Sequence, residues 1–401
     1  MAGATAAWAG CGRVGGNPRS GPTRIRIGFL RQTDAASLLM AEELDTYGKH
    51  GLSPSLRRGA SPAELVERMV TGELAAAQLP ASLPLARALA TPRPSATDLV
   101  TLMVLSQNGA GITLARDLCQ GVKFLDLGGL RDTLARRASS APMTFAVPAI
   151  GGTDDLWLRY LLAAAGVPRN RVHVIEIPAE QMLPDLREER ILGFAAPDPW
   201  SALAAAQDVG FTFATAPDIC RNAPRSVLAT TAATLAERRA DLKKLVRATI
   251  EASVWLDTPA NRARPLLGET LARRQGLDLD AGPIRARLGS VYDLGCRLGE
   301  RDFEDDMLVF HRAGRVNLPR RADAFLTLAL LTRFRIGDGA APTQLDQAAR
   351  VDRVLRDDIY RELAREMGVP LPDDMKPFVV TLDAVRFDAG APAGWPALWG
   401  G

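Results

Sequence analysis

The sequence predicts an α/β protein in which mostly parallel β-sheets carry helices on both faces. Short apolar runs alternate with amphipathic runs along most of the 401 residues, and short connections join them, which is the pattern of such sheets. The length exceeds what a single compact core normally holds. We therefore expect two or three domains or lobes.

The first β/α series begins at Arg24, where apolar residues alternate with polar ones as in a half-buried strand. The clearest helix start is Ser61-Pro62-x-Glu64, which combines an N-cap, a proline at the first helical position and an acid in the first turn. Ligands bind at the carboxyl ends of strands in these sheets. The candidate ligand loops are therefore 31–35, 59–62, 79–84 and 106–111.

The second series begins near Leu114 and contains a glycine turn followed by a strong helix start. Gly151-Gly152 follows a short apolar strand, with Thr153 as the expected N-cap and Asp154 and Asp155 in the first turn. A helix N-terminus offers free N–H groups to a small polar ligand. A well-capped helix in an ordinary crossover explains the same residues. Long helices are predicted farther along, including one from Val351 to Met367.

The composition excludes several classes of protein. With 47% hydrophobic and 24% charged residues and a net charge of +3, the chain is typical of a soluble globular protein, and nothing favours a nucleic-acid partner. The four cysteines and three histidines are scattered, so no metal or redox motif is present. No apolar run approaches the roughly 20 residues needed to span a bilayer.

Residues 1–23 are expected to be a disordered tail or the remnant of a targeting segment. They contain no secretory signal, so the sequence as written predicts a cytoplasmic protein. The stretch Ala7–Cys11 nevertheless resembles the end of a lipoprotein signal. If the true start lies upstream, the protein is instead periplasmic or anchored to the membrane as a lipoprotein.

An ordered set of segments between Arg24 and about Phe387 resembles the solute-binding proteins of nitrate, nitrite, cyanate and bicarbonate ABC transporters and the related cytoplasmic nitrate sensors. The main segments are Ile25–Leu52, Gly72–Ala86, Asn108–Arg116, Gly151–Val167, Ile191–Ala204 and Gly210–Ile219. The resemblance implies a two-lobed, periplasmic-binding-protein-like α/β fold with a ligand cleft between the lobes. It places the first part of lobe 1 at residues 24–113, lobe 2 at 114–221, and the rest of lobe 1 with a C-terminal extension at 222–401.

The resemblance also implies a function and partners. The protein would bind a small solute by lobe closure, without catalysis, and would act with permease and ATPase subunits if exported. A cytoplasmic sensor of nitrate assimilation that acts on a regulatory partner is the alternative. An enzyme on the same fold is a lesser one, because no nucleophile motif is present and Asp154 with Asp198 is the sole carboxylate pair to consider. No catalytic or metal residues are assigned.

The expected ligand-binding residues lie in the cleft loops or at positions where family members contact their ligand: Thr33, Asp34, Ser61, Gln78, Asn108, Gly109, Thr153, Asp154, Asp198, Trp200 and Ser226. Nitrate-binding relatives usually have tryptophan, glutamine, histidine and lysine where this chain has Pro62, Ala110, Asp154 and, within one position, Ser226. A carboxylate a few ångströms from a bound anion costs on the order of one to several kcal/mol. The ligand is therefore expected to differ from nitrate, unless Arg31 or Arg225 supplies a cation.

Three explanations of Asp154 remain open. The cleft binds a neutral or cationic solute; or Asp154, Asp155 and Asp198 meet their ligand through Ca²⁺, the one cofactor considered; or Asp154 only caps its own helix.

Overall fold

The structure, a computed structural model, describes residues 21–91, 93–137, 143–262, 265–336 and 343–390. Residues 1–20 of the predicted tail or targeting remnant lie outside the described residues. Its last residue, Thr23, is the first residue of the first strand. Among the helices in these ranges, none is both long enough and apolar enough to cross a membrane.

The first lobe is built on a five-stranded sheet in the order β2-β1-β3-β10-β4. Its elements before the chain crosses to the second lobe are β1 (Thr23–Phe29), α1 (Ala36–Glu43), α2 (Thr46–Lys49), β2 (Leu52–Arg58), α3 (Pro62–Val70), β3 (Ala76–Pro80), α4 (Leu83–Ala90) and β4 (Leu99–Gln107). β4 is buried along its whole length because helices cover both faces of the sheet. The predicted cap of α3 is present: Ser61 Oγ accepts from the Glu64 N–H at 3.2 Å, and Glu64 accepts from the Ala60 N–H at 2.7 Å.

The second lobe repeats this plan with a sheet in the order β7-β6-β8-β5-β9. Its elements are β5 (Ala110–Ala115), α5 (Leu127–Arg137), β6 (Met143–Val147), α6 (Thr153–Ala164), β7 (Val172–Glu176), α7 (Ala179–Arg187), β8 (Gly193–Pro197), α8 (Trp200–Ala206), β9 (Gly210–Thr215) and α9 (Ala216–Ile219). The two-lobed α/β fold predicted from the sequence is confirmed. Each sheet is mixed rather than mostly parallel, because β10 in lobe 1 and β5 in lobe 2 run antiparallel to both of their neighbours.

The chain crosses between the lobes twice, and the two crossings contact each other. The first crossing is Asn108-Gly109 and the second lies between α9 and β10 (Pro224–Thr231). Asn108 Oδ1 accepts from the Asn222 N–H at 3.0 Å, and the Asn108 N–H donates to the Ala223 carbonyl at 3.2 Å. The first crossing falls before β5, so residues 110–113 belong to the second sheet rather than to lobe 1 as the sequence suggested. This paired crossing is the natural hinge of the molecule.

The remaining C-terminal half joins both lobes. Its elements are α10 (Ala232–Leu256), α11 (Pro259–Arg262), α12 (Pro265–Ala272), α13 (Ala281–Leu288), β11 (Val291–Asp293), β12 (Glu300–Asp302), α14 (Arg321–Arg333), α15 (Gln344–Val354), α16 (Asp358–Met367), β13 (Phe378–Val379) and β14 (Arg386–Phe387). α10 packs on α1 of lobe 1, whereas α13 packs on α8 of lobe 2. The apolar face of α14 and the C-terminal hairpin join the lobe 2 core, where Tyr160 donates to Asp383 at 2.7 Å. The region 222–401 therefore does not belong to lobe 1 alone.

Two features were missed at the sequence level. The single helix predicted from Val351 to Met367 is two helices, because Leu355 turns away to pair with Thr101 and the Arg356 N–H donates to the Thr101 carbonyl at 2.9 Å. A disulfide joins Cys119 to Cys296 across a sequence separation of 177 residues. It ties the β11–β12 region to lobe 2.

Candidate functional site

Four buried polar side chains meet between the lobes. Asp34 lies in a short helical turn after β1, and Gln78 lies in β3, so lobe 1 supplies both. Asp154 lies in the first turn of α6 in lobe 2, and Arg225 lies in β10 directly after the second crossing. All four side chains are at most 2% exposed. We call these four residues the cleft cluster.

Arg225 bridges the lobes within the cleft cluster. Its Nη2 donates to Asp154 Oδ2 at 2.9 Å, and its Nε lies 3.8 Å from Asp34 Oδ2. Gln78 orients Asp34 from the other side, since its Nε2 donates to Asp34 Oδ1 at 2.8 Å while its Oε1 accepts from the Leu30 N–H. The cluster thus places one guanidinium between two carboxylates of opposite lobes.

Several polar atoms of the cleft cluster are buried and have no hydrogen-bond partner among the described residues. They are Asp34 Oδ2, Asp154 Oδ1, and Nε and Nη1 of Arg225, and Thr33 Oγ1 beside them is in the same condition. Buried polar atoms are nearly always paired in folded proteins, because an unpaired one costs about 1–3 kcal/mol. A concentration of such atoms between two lobes is typical of a site built for a polar ligand.

Burial shifts the titration of the two carboxylates upward. Desolvation raises the pKa of Asp154 to about 6, although the Arg225 charge opposes the rise. Desolvation also raises the pKa of Asp34, again against the opposing charge of Arg225. The two carboxylates share one cation, so each is stabilised less than it would be in an exclusive ion pair. The cleft cluster therefore gains protons at mildly acidic pH more readily than surface carboxylates do.

A second buried ion pair flanks the cluster. Asp198, at the end of β8, lies 3.3 Å from Arg287 Nε, and both side chains are at most 3% exposed. The Asp198 carbonyl accepts from the Thr33 N–H at 2.7 Å, which joins lobe 2 to the turn that carries Asp34. Desolvation raises the pKa of Asp198, opposed by Arg287. The Thr33–Asp198 backbone bond, rather than the ion pair, crosses the cleft.

Neutral hydrogen bonds close the cleft at its edges. The Ser82 hydroxyl at the start of α4 donates to the Gly151 carbonyl at 2.7 Å, and the Ser82 N–H donates to Thr153 Oγ1 at 3.3 Å. On the opposite side, Trp200 Nε1 donates to the Arg31 carbonyl at 3.1 Å. These bonds hold Thr153 and Trp200 at the contact between lobes rather than in the cluster itself.

Of the eleven expected ligand residues, three lie elsewhere: Ser61, Asn108 and Gly109. Ser61 caps α3 with its hydroxyl. Asn108 and Gly109 form the first crossing. The Asn108 side chain stabilises this crossing, since its Nδ2 donates to the Met307 carbonyl at 3.1 Å. Ser226 lies beside the cleft cluster, because its hydroxyl hydrogen-bonds the Asp34 carboxyl and lies 3.1 Å from Ser106 Oγ. The cation comes from the preceding residue, Arg225.

Asp154 does not cap its helix. The N-cap of α6 is Gly152, not Thr153 as expected, and no side chain caps it. The neighbouring Asp155 accepts from the Gly151 N–H at 2.8 Å and pairs with Arg159 at 2.6 Å, within lobe 2. Asp154 instead reaches across to the other lobe. The helix-cap explanation therefore applies to Asp155.

The aspartates considered for Ca²⁺ are held apart by separate partners. Asp154 pairs with Arg225, and Asp198 with Arg287. Throughout the described ranges, no group of three or more carboxylate, histidine or cysteine side chains could hold a metal ion.

Sequence reasoning considered Arg225 without assigning it to the site, and missed Arg287 altogether. Both are fully buried arginines, and burial is not visible in an arginine-rich sequence. A partial signal was available for Arg225, because it stands next to the position where relatives carry lysine.

Among the described residues, the cleft cluster contains neither a cysteine nor a histidine. Cys220 is buried in the crossing region, where desolvation raises the pKa of its thiol. His50 pairs with Glu251 at 2.8 Å in lobe 1, and His311 contacts Asn317 near the same lobe. The partners of both histidines lie outside the cleft cluster. Two lobes, paired crossings between them and a buried polar cluster at their contact are the architecture of a periplasmic-binding-protein-like fold.

The comparisons with known proteins place the chain in a family. The model of the NMT1-like family matches residues 19–266, more than half of the sequence, and the chain belongs to that family. It is 29% identical over 377 residues to the nitrate import ATP-binding protein NrtC of Synechocystis sp., covering 92% of this chain and 54% of NrtC. It is 26% identical over 383 residues to the nitrate/nitrite binding protein NrtA of the same organism, covering 92% of this chain and 83% of NrtA. The chain thus spans about half the length of NrtC and most of NrtA.

The solved structures agree on the fold. The crystal structure of the periplasmic nitrate-binding protein NrtA from Synechocystis PCC 6803 superposes with a TM-score of 0.84 at 24% identity, covering 92% of this chain and 97% of that one. The two-lobed architecture is therefore shared along nearly the whole chain.

Proposed function

We propose that this protein is the solute-binding component of an ABC-type importer and binds a small solute between its lobes without catalysis. The observation that carries the proposal is the set of unpaired buried polar atoms on Thr33, Asp34, Asp154 and Arg225. Asp154 and Arg225 lie on opposite sides of the hinge, so a solute that contacts both stabilises the closed arrangement by its differential affinity. NrtC is named a nitrate import ATP-binding protein and NrtA a nitrate/nitrite binding protein, which supports the transport class.

The partners we propose are a permease and an ATP-binding subunit. Half of NrtC, a relative named as an ATP-binding protein, aligns with this chain, which links such a binding module to an importer ATPase. A pull-down of the tagged protein with permease and ATPase subunits from its own genome, in the presence and absence of solute, tests this association.

We further propose that the protein works outside the cytoplasm. The Cys119–Cys296 disulfide supports this location, because disulfides persist in oxidising compartments and are rare in the cytosol. The same feature favours the transport component over the cytoplasmic sensor. Peptide mapping of protein recovered from its native host without reductant should yield the linked Cys119 and Cys296 peptides. Recovery of both as free thiols would contradict the proposed location.

Calorimetric titration of the purified full chain tests the binding function. The solutes are nitrate, nitrite, bicarbonate, cyanate and small neutral amides, each with and without Ca²⁺, and small-angle X-ray scattering follows compaction on binding. We expect at least one solute to bind saturably and to compact the protein. Asp154→Asn should change the affinity, whereas Asp155→Asn, a matched change one residue away that faces into lobe 2, should not. If no solute compacts the protein, solute binding by lobe closure is wrong.

A further inference from the structure

We infer that the cleft selects a small planar solute that carries both N–H donors and a carbonyl acceptor, of the urea and primary-amide class, and discriminates against donor-free oxyanions. This inference rests on the proposed solute-binding function and specifies its ligand. It follows from which atoms of the cleft cluster lack partners and from the charge that they enclose.

The unpaired atoms fall into two chemical sets. Ionised Asp34 and Asp154 can only accept hydrogen bonds, and each has one oxygen without a partner. The Arg225 guanidinium can only donate, and its Nε and Nη1 have no acceptor. Thr33 Oγ1 can do either. A solute that satisfies this set must therefore offer donors toward the carboxylates and an acceptor toward the guanidinium.

The existing bonds fix where these atoms point. Arg225 Nη2 and Asp154 Oδ2 are already bonded to each other at 2.9 Å. Gln78 likewise holds Asp34 Oδ1 at 2.8 Å, so the other oxygen of each carboxylate is the one left for a solute. Arg225 Nε lies 3.8 Å from Asp34 Oδ2, so the two kinds of group are adjacent, and a small solute would bind both by replacing this contact.

The net charge of the cleft cluster distinguishes between anionic, cationic and uncharged solutes. Two carboxylates around one guanidinium leave a single negative charge, while Asp198 and Arg287 offset each other. Nitrate would add a second negative charge and would leave both carboxylate oxygens without a donor. A guanidinium ion would satisfy the carboxylates but would place a second cation beside Arg225 with no acceptor for it. An uncharged amide meets both requirements.

Specificity of this type is strong in proteins. A site whose buried polar groups are left unpaired by the wrong ligand rejects that ligand far more sharply than a site that differs only in shape. The carboxylates therefore act as specificity-determining residues against nitrate.

Four planar three-substituent solutes form a matched test series: nitrate with no donor, bicarbonate with one O–H donor, urea with amide donors and a carbonyl, and the guanidinium ion with donors alone. Titration calorimetry on the full-length protein near pH 7.5, with formamide as a second amide, should give at least tenfold tighter binding for urea than for nitrate. Bicarbonate should fall between them, and guanidinium should bind more weakly than urea. Nitrate binding as tightly as urea, or no saturable urea binding, would overturn the ligand class.

Variants separate specificity from folding. Asp34→Asn should weaken urea binding at least tenfold and lower the ratio of urea affinity to nitrate affinity. Asp155→Asn should leave that ratio at its wild-type value. If Asp34→Asn does not fold, the pH dependence of solute affinity in the wild-type protein tests the inference instead. Asp34, Asp154, Asp198, Arg225 and Arg287 are the charged groups that face the solute. Burial raises the pKa of all three carboxyls, that of Asp154 to about 6, while both arginines stay charged, so the site becomes more negative as the pH rises from about 5 to 7.5.

Urea affinity should therefore rise over that range, while the affinity for nitrate, which does not titrate there, should fall. Urea affinity that is flat or falling would overturn the inference. Failure of the ligand class remains distinguishable from failure of the proposed function. If urea and formamide do not bind but another solute binds and compacts the protein, the class is wrong and the function stands. If no solute compacts it, the function itself fails.

Discussion

Replacing Arg225 by methionine is the sharpest test of the cleft cluster. The change removes the sole guanidinium that contacts Asp154 and Asp34 among the described residues, and leaves both carboxylates buried. Removing one partner of a buried ion pair costs about 3–5 kcal/mol, because the remaining charge is neither solvated nor paired. At about pH 7.5 we expect a loss of stability of that size.

The loss should shrink in acid. Without Arg225 the pKa values of Asp34 and Asp154 rise further, because its charge is what opposes desolvation at both. Near pH 5 the two carboxyls of the variant are therefore protonated to a larger extent than at pH 7.5, and less unpaired charge remains buried between the lobes. Near pH 5 we expect Arg225→Met to lose less than about half of the stability that it loses at pH 7.5.

Thermal melting followed by circular dichroism measures the effect at the two pH values without urea or guanidinium, which are solutes in the binding series. Arg239→Met is the matched control, since Arg239 also lies between two carboxylates, Asp358 at 2.8 Å and Glu362 at 3.5 Å, but is 44% exposed. Exposed pairs contribute about 0–1 kcal/mol, so the control should melt within a few degrees of the wild type. The reasoning is refuted if Arg225→Met melts like the control, or if its loss is the same at both pH values.

Three further predictions concern single positions. Asp154→Asn should remove part of the pH dependence of stability. The pKa of the Asp154 carboxyl is raised from 3.8 to about 6, so this group contributes stability below pH 4 that is lost as the pH rises through 6. Between pH 4 and 7 the free energy of unfolding of the variant should therefore rise by up to about 3 kcal/mol relative to that of the wild type, measured by calorimetric melting. Gly109→Ala should lower stability by about 1–3 kcal/mol, because Gly109 has φ +65° and a Cβ there would lie 2.5 Å from a Leu308 methyl carbon; unchanged melting would contradict this hinge geometry. Cys296→Ser should cost about 2–5 kcal/mol by removing the link to Cys119, and adding reductant to the wild type should reproduce that loss but leave the variant unaffected.

The elements that sequence reasoning found reliably are those whose causes lie within a few residues. The cap at Ser61 depends on Glu64 three positions later, so the sequence shows both partners. The alternation of buried Ile25 and Ile27 with exposed Arg24 and Arg26 predicts β1 for the same reason. The ordered set of segments, read as a resemblance, extended this local information to the two-lobed fold. It also brought Asp34, Gln78 and Asp154 into one candidate site.

What the sequence by itself determined, then, is the order of strands and helices, the two-lobed class and the absence of the usual nitrate-contact residues. Only the tertiary structure decided the rest, because it depends on groups far apart in the chain. Arg225 meets Asp154 across 71 residues, and Cys119 meets Cys296 across 177. Which residue after the second crossing supplies the cation was likewise not readable from the sequence, because it depends on contacts with Asp34 and Asp154 far along the chain. Because the two lobes pack against each other, Asp154, a candidate helix cap in the sequence, forms a buried ion pair with Arg225.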